Sequence, residues 1–316
     1  MANVLVTGGA GFIGSHLVDE LVCEGHDVTI LDDLSSGFKA NVNSKAEFIR
    51  GDVSDFGVCI NAVLRKQFVF HLAAIPEVSR SLIDTRRTND VNLKGTLNIL
   101  EASLQNGVQR VIFAGSSAVY GNTNIIPTDE TVPVDPLSPY ALQKYASEEY
   151  CRLYSHLFGL DTVILRYFNV FGPRQNPESE YSAVIPKFIE AIAHGRKPII
   201  YGDGNQERDF VYVKNVVHAN ILAMQHKGHG IAINVGSGQS INLKQLLRYM
   251  YKHWGDESVG IDYKPRRSGD VKISRADITR LRVSFNYKPL VLFDEGILDT
   301  MAYYIRGMAI HQSAES

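Results

Sequence analysis

One stretch near the amino terminus, Val4-Leu-Val-Thr-Gly-Gly-Ala-Gly-Phe-Ile-Gly14, decides the predicted fold. It joins a short apolar strand to a helix predicted over about residues 14–23, and it carries glycines at 8, 11 and 14. In such a turn Gly8 permits a tight bend, Gly11 lets the backbone approach a pyrophosphate, and Gly14 allows close helix–strand packing. The helix amino terminus adds free amides and a positive dipole. The stretch predicts a dinucleotide site, and a purely structural glycine-rich turn is the alternative.

The first half of the chain alternates short apolar strands with amphipathic helices. One long helix is predicted over Asp90–Gln105, and the strands beyond the opening one are predicted at Val28–Leu31, Phe68–Leu72, Arg110–Ala114 and Thr162–Arg166. Strands that are apolar almost throughout and alternate with helices indicate a parallel sheet covered on both faces. The predicted fold class is therefore α/β, a Rossmann-type doubly wound parallel sheet with a smaller mixed α/β substrate-binding domain.

Beyond Asn169 the alternation loosens, because prolines at 173, 177, 186 and 198 interrupt the pattern. Within this half, the segment Val211–Met224 is expected to return to the main sheet. We predict two domains, a Rossmann domain of residues 1–170 plus returning segments at about 211–236 and 285–306, and a smaller domain of residues 171–210 and 237–284.

Composition and charge exclude several classes of protein. The chain has 316 residues, 21% of them charged, and a net charge of -2, so we expect neither a nucleic-acid partner nor a membrane partner. The first residues already form the predicted strand, and no apolar run approaches the roughly 20 residues of a spanning helix. Cys23, Cys59 and Cys151 lack the spacing of a zinc site or a disulfide framework. These features predict a cytoplasmic globular protein without a metal site.

Acidic and small residues follow the next predicted strands. Asp32 and Asp33 end the second strand, where a carboxylate binds the ribose hydroxyls of a dinucleotide. Two carboxylates there would repel a 2′-phosphate, so the expected cofactor is NAD and not NADP. Asp52 is a candidate contact for adenine, and Leu72-Ala-Ala74 offers small side chains beside the cofactor. Solvated turn residues are the alternative interpretation of the paired aspartates.

A second informative pattern is Ser138-Pro-Tyr-Ala-Leu-Gln-Lys144. On a helix, Tyr140 and Lys144 project from one face because they are four residues apart. A nearby ammonium group favours the phenolate, so Lys144 is expected to lower the pKa of Tyr140 from its ordinary value of about 10. Tyr140 then becomes a plausible general base. By itself the pair is equally compatible with packing on a helix surface.

Taken together, these motifs resemble a known family. The chain resembles the extended short-chain dehydrogenase/reductase family, particularly its nucleotide-sugar 4-epimerases, in the stretches quoted above and in Gly51-Asp-Val53, Gly115–Gly121, Arg166–Val170, Gly202-Asp-Gly204 and Arg208-Asp-Phe210. The resemblance implies NAD as the cofactor, a UDP-sugar as the substrate and a homodimer. With the residues above, the implied cofactor contacts are Gly8, Gly11, Phe12, Ile13, Gly14, Asp32, Asp33, Asp52, Val53, Leu72, Ala73, Ala74, Asn92, Tyr140, Lys144 and Tyr167. Among these, Asn92 is expected to brace the backbone of the cofactor site.

Within that family, the chain looks most like the UDP-N-acetylglucosamine 4-epimerases in Phe171–Pro177, Tyr181–Lys187 and Ser274–Arg280. In relatives restricted to UDP-glucose, the position of Ser274 holds a bulky aromatic residue that crowds the sugar C2 substituent. Ser274 is therefore expected to leave space for an N-acetyl group without excluding UDP-glucose.

The stretch Gly115-Ser-Ser-Ala-Val-Tyr-Gly121 separates the 4-epimerases from their relatives. The family's 4,6-dehydratases have an aspartate and a glutamate at the positions of Ser117 and Ala118, because eliminating water needs an acid and a base. UDP-glucuronate decarboxylases keep the glutamate. Ser117 and Ala118 can supply neither group, so both activities are disfavoured.

The resulting hypothesis is NAD-dependent 4-epimerisation of a UDP-hexose through a transient 4-keto sugar. Tyr140 removes the proton of the C4 hydroxyl, Lys144 holds the ribose, and Ser116, with Ser117, steadies the reacting oxygen. The keto sugar then turns about its pyrophosphate link and is reduced on its other face. By resemblance, the substrate contacts are Asn169, Val184, Lys187, Phe188, Tyr201, Arg208, Arg267, Asp270 and Ser274.

Three other functions remain open at this point. The first is 4-epimerisation of UDP-glucuronate, and the second is another nucleotide-sugar oxidoreductase or dehydratase activity of the same family. The third is a cofactor-binding protein without turnover, which the joint presence of Tyr140, Lys144 and Ser116 argues against. For each arginine taken alone, a surface ion pair is the alternative to a substrate contact.

Overall fold

A seven-stranded parallel sheet organises the chain in a computed structural model that describes residues 1–176, 184–254, 259–266 and 271–314, with side chains up to residue 307. The large sheet has the strand order β11-β6-β5-β4-β1-β2-β3 when the strands are numbered along the chain. The strands are β1 (Asn3–Thr7), β2 (Asp27–Asp32), β3 (Glu47–Arg50), β4 (Phe68–His71), β5 (Arg110–Ser116), β6 (Asp161–Tyr167), β7 (Asn169–Phe171), β8 (Ile199–Tyr201), β9 (Glu207–Arg208), β10 (Phe210–Tyr212), β11 (Ile231–Val235), β12 (Ile241–Asn242), β13 (Asp262–Lys264) and β14 (Ile273–Ser274).

Helices follow most of the strands and cover both faces of the large sheet. They are α1 (Phe12–Cys23), α2 (Phe56–Val63), α3 (Val78–Ile83), α4 (Thr85–Asn89), α5 (Gly95–Gln105), α6 (Pro139–Phe158), α7 (Val184–Ala193), α8 (Val213–Gln225), α9 (Leu243–Trp254), α10 (Thr279–Phe285) and α11 (Phe293–Ala314). Short 3-10 turns lie at Lys39–Asn41 and Ser117–Tyr120, and Asp90–Lys94 is π-helical.

The near-continuous apolar character of the strands reflects burial on both sides of the sheet. Alternate residues of a strand point to opposite faces. Val4 and Val6 of β1 therefore pack in one core with α1 and α8, while Leu5 packs in a second core with α2, α5 and α6. The β1 side chains in both cores are fully buried, so neither face of the sheet is exposed to solvent at this strand. Burial of both faces is typical of parallel sheets.

The strand order places a crevice at the carboxyl edge of the sheet. From β1 the chain runs outward through β2 to β3, and then returns to β4 on the other side of β1. The loops after β1 and β4 therefore separate, and in open α/β sheets ligands bind at this reversal of strand order. The predicted Rossmann-type fold class is confirmed.

A third core forms the smaller, mixed region beside this edge. It joins Phe171, Phe188 and Leu246 with Ile297 and Met301 of α11. Short strands accompany it in the pairs β10–β7 and β13–β8 and in the trio β12–β9–β14.

The predicted division into two domains stays a prediction, but the packing of its returning segments is visible. The segment Val211–Met224 adds no strand to the large sheet: β10 pairs with β7, and α8 packs on a face of the large sheet. The strand that returns to the large sheet is β11, which follows this segment. Of residues 285–306, Phe285 packs with the large sheet, whereas Ile297 lies in the third core.

The helix predicted over Asp90–Gln105 is not regular throughout. Its first turn is π-helical from Asp90 to Lys94, and α5 continues from Gly95. Within the wide turn, the carbonyl of Asn92 accepts hydrogen bonds from Thr96 Oγ1 at 2.7 Å and Ser147 Oγ at 3.0 Å. Such turns are common at functional sites, and this one turns the Asn92 side chain toward the loop after β4.

Candidate active site

A cavity of about 1240 Å³ opens at the carboxyl edge of the large sheet and extends to the third core. Most of the residues proposed from the sequence line it. From the cofactor set they are Gly8, Gly11, Phe12, Ile13, Gly14, Asp32, Asp33, Asp52, Val53, Leu72, Ala73, Ala74, Tyr140, Lys144 and Tyr167. From the catalytic and substrate sets they are Ser116, Ser117, Asn169, Val184, Lys187, Phe188, Tyr201, Arg208 and Ser274. Arg267 and Asp270 lie outside the described residues.

The loop between β1 and α1 fits a bound dinucleotide. Gly8 has a φ of 72°, and a Cβ atom there would lie 2.7 Å from the Ala73 amide nitrogen. A Cβ atom at Gly14 would collide with the Gly8 carbonyl. Helix α1 begins after Gly11 without a side-chain cap, so its first amides remain directed at the cavity. This backbone cradle is the arrangement that holds a pyrophosphate.

Asp32 is held rigidly at the end of β2. Its carboxylate accepts hydrogen bonds from the backbone nitrogen of Ala10 at 3.0 Å and of Leu34 at 2.8 Å. Burial raises the pKa of Asp32, and these two hydrogen bonds oppose the rise. The carboxylate is therefore fixed next to the glycine loop, where the sequence places a ribose contact.

An arginine that the sequence analysis did not single out accompanies the other two aspartates. Arg87 Nη2 lies 2.6 Å from Asp52 Oδ2 and 3.7 Å from Asp33 Oδ2. Burial works to raise the pKa of Asp52, but hydrogen bonds from Ser54 and the Arg87 guanidinium prevail and lower it. Because Arg87 compensates two of the three carboxylates, the predicted repulsion of a 2′-phosphate rests mainly on Asp32 and not on a pair of free charges.

Tyr140 lies in the first turn of α6 and faces the cavity. The helix starts because Ser138 Oγ accepts a hydrogen bond from the Ala141 amide at 3.1 Å, and Pro139 occupies the first helical position. The Tyr140 amide donates to Ser81 Oγ at 3.1 Å, which ties the start of α6 to α3. These contacts hold the phenol at the end of β5.

The expected effect of Lys144 on Tyr140 is not what the structure shows. Lys144 Nζ donates to the Ala114 carbonyl at 2.9 Å and lies 4.9 Å from the centroid of the Phe113 ring. Burial lowers the pKa of Lys144 to about 8. Burial also raises the pKa of Tyr140, a hydrogen bond with Ser116 opposes the rise, and the charge of Glu77 adds to it. The prediction that the protein itself lowers the Tyr140 pKa through Lys144 is wrong, because burial outweighs every other influence on the phenol.

The two serines after β5 stand beside the phenol. Ser116 Oγ accepts a hydrogen bond from the Ala118 amide at 3.2 Å and also hydrogen-bonds Tyr140. Ser117 opens the 3-10 turn that follows. The turn is anchored from behind, since Arg166 donates to Tyr120 Oη at 2.8 Å and is itself ion-paired with the buried Glu148.

His71, at the end of β4, lies outside the cavity lining and is hydrogen-bonded at both ring nitrogens. His71 Nδ1 lies 2.7 Å from Thr7 Oγ1, and His71 Nε2 lies 3.1 Å from Thr96 Oγ1. Burial, with the charge of Lys144, lowers the pKa of His71 to about 3. His71 therefore stays neutral near physiological pH and contributes position, not charge.

Asn92 lies behind the cavity wall and not on it. Its Oδ1 accepts from the Ile75 amide at 2.8 Å, and its Nδ2 donates to the Ile75 carbonyl at 3.1 Å and to Gln143 Oε1 at 2.9 Å. These bonds hold the chain after β4, as the bracing interpretation of Asn92 requires.

The far end of the cavity is lined by side chains from the smaller region. Arg208 of β9 and Ser274 of β14 are direct partners across a parallel ladder. Arg208 also donates to the Glu207 carbonyl at 2.8 Å. Tyr167 borders the cavity too, but its hydroxyl donates to Asn220 at 2.9 Å, so that group is engaged with α8.

Several wall residues were not among the predicted site residues, although Arg174 and Gln175 lie in the quoted stretch Phe171–Pro177. Most come from loops whose course depends on tertiary packing, such as the loop after β2, where Gly37 packs against Ala10, while Leu82 and Leu243 lie on α3 and α9. The wall residues that were not predicted include Ser35, Ser36, Phe38, Glu77, Leu82, Arg174, Gln175, Gln206 and Leu243. The sequence motifs indicate single residues at the strand ends and therefore do not predict these wall residues.

The described part of the chain contains neither a membrane-spanning helix nor a metal site. None of its helices is both long and apolar enough to cross a membrane. No group of three or more histidine, cysteine, aspartate or glutamate side chains in it could hold a metal ion.

Comparison with known families shows which family the chain belongs to. The model of the NAD dependent epimerase/dehydratase family matches residues 4–236. The chain belongs to that family. A UDP-glucose 4-epimerase of Mycolicibacterium smegmatis is 40% identical to this family member, and the match covers 96% of this chain and 98% of the relative.

Solved structures of the epimerase/dehydratase family superpose closely on this chain. The UDP-N-acetylglucosamine 4-epimerase from Methanobrevibacter ruminantium, in complex with UDP-N-acetylmuramic acid, has a TM-score of 0.92 and 42% identity, and the match covers 97% of this chain and 99% of that one. The UDP-glucose 4-epimerase of Thermus thermophilus, in complex with NAD, has a TM-score of 0.87 and 37% identity over 96% and 99% of the two chains. The predicted family, the isomerase class and NAD as the cofactor are confirmed.

Proposed function

We propose that this protein interconverts the C4 epimers of UDP-hexoses, UDP-N-acetylglucosamine with UDP-N-acetylgalactosamine, and UDP-glucose with UDP-galactose. The observation that carries the proposal is the chemistry at the carboxyl end of β5. Tyr140 and Ser116 are hydrogen-bonded at the cavity wall, while Ser117 and Ala118 offer no acid or base for elimination. One acid–base group at one carbon is sufficient for oxidation and re-reduction.

NAD, when bound, reversibly accepts a hydride from the sugar. The glycine loop of β1–α1 would hold its pyrophosphate, and Asp32 would hold a ribose. Lys144, which is buried and lies next to Tyr140 on the same helix, would bind the other ribose and add positive charge at the phenol. In that complex the phenolate would gain the stabilisation that the protein alone withholds.

Tyr140 takes the proton from the sugar C4 hydroxyl and later returns one to the C4 oxygen. Ser116 donates to that oxygen and steadies the charge that develops on it. Inversion at C4 requires the hydride to leave one face of that carbon and return to the other, so the sugar must turn over while its C4 oxygen stays within reach of Tyr140. The cavity of about 1240 Å³ gives a pyranose room to turn while its nucleotide stays bound.

Side chains of the smaller region would anchor the nucleotide at the far end of the cavity. Arg208 would meet the pyrophosphate as a planar donor. The segment Val184–Phe188, with Tyr201, would frame the uracil, and Asn169 would contact a phosphate or the sugar. Ser274, small and in register with Arg208, leaves space for an N-acetyl group at C2.

We also propose that the protein acts as a homodimer in the cytoplasm. Helix α6 exposes an apolar stripe in which Leu142 is 57% exposed, Leu153 47% and Leu157 68%. These residues fall on one side of the helix, so a second copy of the stripe would bury them in a symmetric contact. A molecular mass of two chains in light scattering would support the dimer. All three cysteines are free thiols, as in a reducing compartment.

One experiment separates this function from its rivals. The protein is purified without added cofactor, assayed for NAD carried through, and incubated with UDP-N-acetylglucosamine. We expect the galacto isomer to form with no added NAD. Accumulation of reduced nicotinamide in proportion to turnover would instead indicate an oxidoreductase, and no product from any UDP-hexose would indicate a binding protein.

A further inference from the structure

Glu77 is an acidic group in the catalytic end of the cavity that the mechanism above does not use. It lies between β4 and α3 and lines the same cavity wall as Ser116 and Tyr140. Its side chain does not cap α3, and within the described parts of the chain it forms no ion pair. The segment is firmly placed, because Ser81 of α3 accepts a hydrogen bond from the Tyr140 amide at 3.1 Å.

The other charged groups of the cavity do not cancel this charge. Asp32, Asp33 and Asp52 lie at the opposite, adenine end after β2 and β3. Lys144 is turned to the Ala114 carbonyl, and Arg174 is ion-paired with Asp19 at 2.8 Å. Lys187 and Arg208 belong to α7 and β9 at the far end. The charge of Glu77 is felt at the phenol, since it contributes to the raised pKa of Tyr140.

The position of this charge bears on the substituent at sugar C6. Carbon 6 is attached to C5, the neighbour of the reacting C4, so the C6 group stays within a few bonds of Tyr140. Turning the sugar over keeps C4 at the phenol but exchanges the two sides of the ring, so the C6 group lies on opposite sides of Tyr140 in the two orientations. In a uronic acid this group is a carboxylate, which would lie near Glu77 in one of the two orientations that the reaction requires.

We infer that Glu77 is a specificity residue that excludes hexoses carrying a carboxylate at C6 and restricts the enzyme to neutral UDP-sugars. The inference rests on the proposed function and names its substrate class. Two like charges in a protein cavity repel each other more strongly than the same charges in bulk water. The repulsion acts on the bound uronate in the ground state and in the transition state alike. It should therefore raise KM more than it lowers kcat.

The test compares kcat/KM for UDP-glucuronate and UDP-glucose in the wild type, Glu77→Gln and Glu77→Asp. We expect the wild type to prefer UDP-glucose by at least about tenfold, which corresponds to roughly 1.4 kcal/mol. In Glu77→Gln, which keeps the shape and removes the charge, the ratio should move toward the uronate by about tenfold through KM. Glu77→Asp keeps the charge and should keep the preference.

A matched control is Glu20→Gln, which removes an exposed carboxylate of α1 and should leave both rates unchanged. Calorimetric Kd values for the two nucleotide sugars are measured on the same variants and need no turnover. If no UDP-hexose is epimerised, the proposed function fails while the Kd ratio still decides the role of Glu77. An unchanged ratio in Glu77→Gln, or a wild type that accepts both sugars equally, overturns the inference. Loss of turnover on both sugars would do so too, because it would make Glu77 a catalytic residue.

Discussion

The two ends of the cavity are built in different ways. At the cofactor end the wall is mostly backbone, with Gly8 and Gly14 packed too closely for a Cβ atom and Asp32 held by two amides. At the far end the wall is made of side chains such as Lys187 and Arg208, which arrive on short elements of the smaller region.

This difference separates what must stay fixed from what can vary. A backbone cradle tolerates almost no change, because any added atom meets a main chain that cannot move away. A wall of side chains can be reshaped by single substitutions without disturbing the sheet. We therefore expect substitutions at the cofactor end to abolish function and substitutions at the far end to change specificity. Tyr140 lies where the two ends meet.

The largest effect should come from Tyr140→Phe, which removes the proposed base at the junction. We expect kcat to fall by about 10³-fold, roughly 4 kcal/mol of transition-state stabilisation, while UDP binding persists at the far end. Steady-state rates and a calorimetric Kd for UDP would measure both. The control is Tyr150→Phe, an exposed hydroxyl on the same helix, which should keep full activity. A rate for Tyr140→Phe near that of the control would assign the base elsewhere.

Gly8→Ala tests the rigidity of the cofactor end. We expect loss of bound NAD and a decrease of about 3 kcal/mol in the free energy of unfolding, since both a left-handed φ and a main-chain collision oppose the methyl group. Gly25→Ala is matched, because Gly25 also has a positive φ of 82° but nothing within 4 Å of a Cβ atom. It should cost about 1 kcal/mol and keep NAD. Denaturant unfolding and NAD content distinguish the two, and equal losses would show that close packing plays no part.

Ser274→Tyr tests the adaptability of the far end. A phenol ring at this position should crowd the C2 substituent, so kcat/KM for UDP-N-acetylglucosamine should fall at least about tenfold more than that for UDP-glucose. The fold and the NAD content should not change. Competition assays with both sugars would measure the ratio. An equal loss on the two substrates would mean that Ser274 does not face the C2 group.

The smallest expected effect concerns pH. A raised Tyr140 pKa leaves little phenolate at neutral pH, so kcat/KM should rise with pH on the acid side of its profile. The charge of Glu77 raises this pKa, and Ser116 opposes it. In Glu77→Gln the pKa of Tyr140 should fall, and the acid limb of the kcat/KM profile should move to lower pH by roughly half a unit. Profiles for UDP-glucose would measure the shift, and a move to higher pH would contradict it.

Most residues predicted for the cofactor end line the cavity, and the sequence could indicate them because their determinants are local. The spacing of Gly8, Gly11 and Gly14 between a strand and a helix already defines the turn and its use. The same local reading failed for the Tyr140 pKa, because four-residue spacing gives proximity but says nothing about burial. Arg87 was missed for a related reason, since its contact with Asp52 spans 35 residues of sequence.

The sequence alone predicted the parallel α/β sheet, the dinucleotide loop and the placement of Tyr140 and Lys144 on one helix face. Each follows from periodicity or from residues close together in the chain. Only the tertiary structure decided that Arg87 compensates Asp33 and Asp52, that burial raises the Tyr140 pKa, and that Glu77 lines the same cavity as Tyr140. Charges and solvation depend on which distant segments the fold brings together, and a linear pattern does not record these distances.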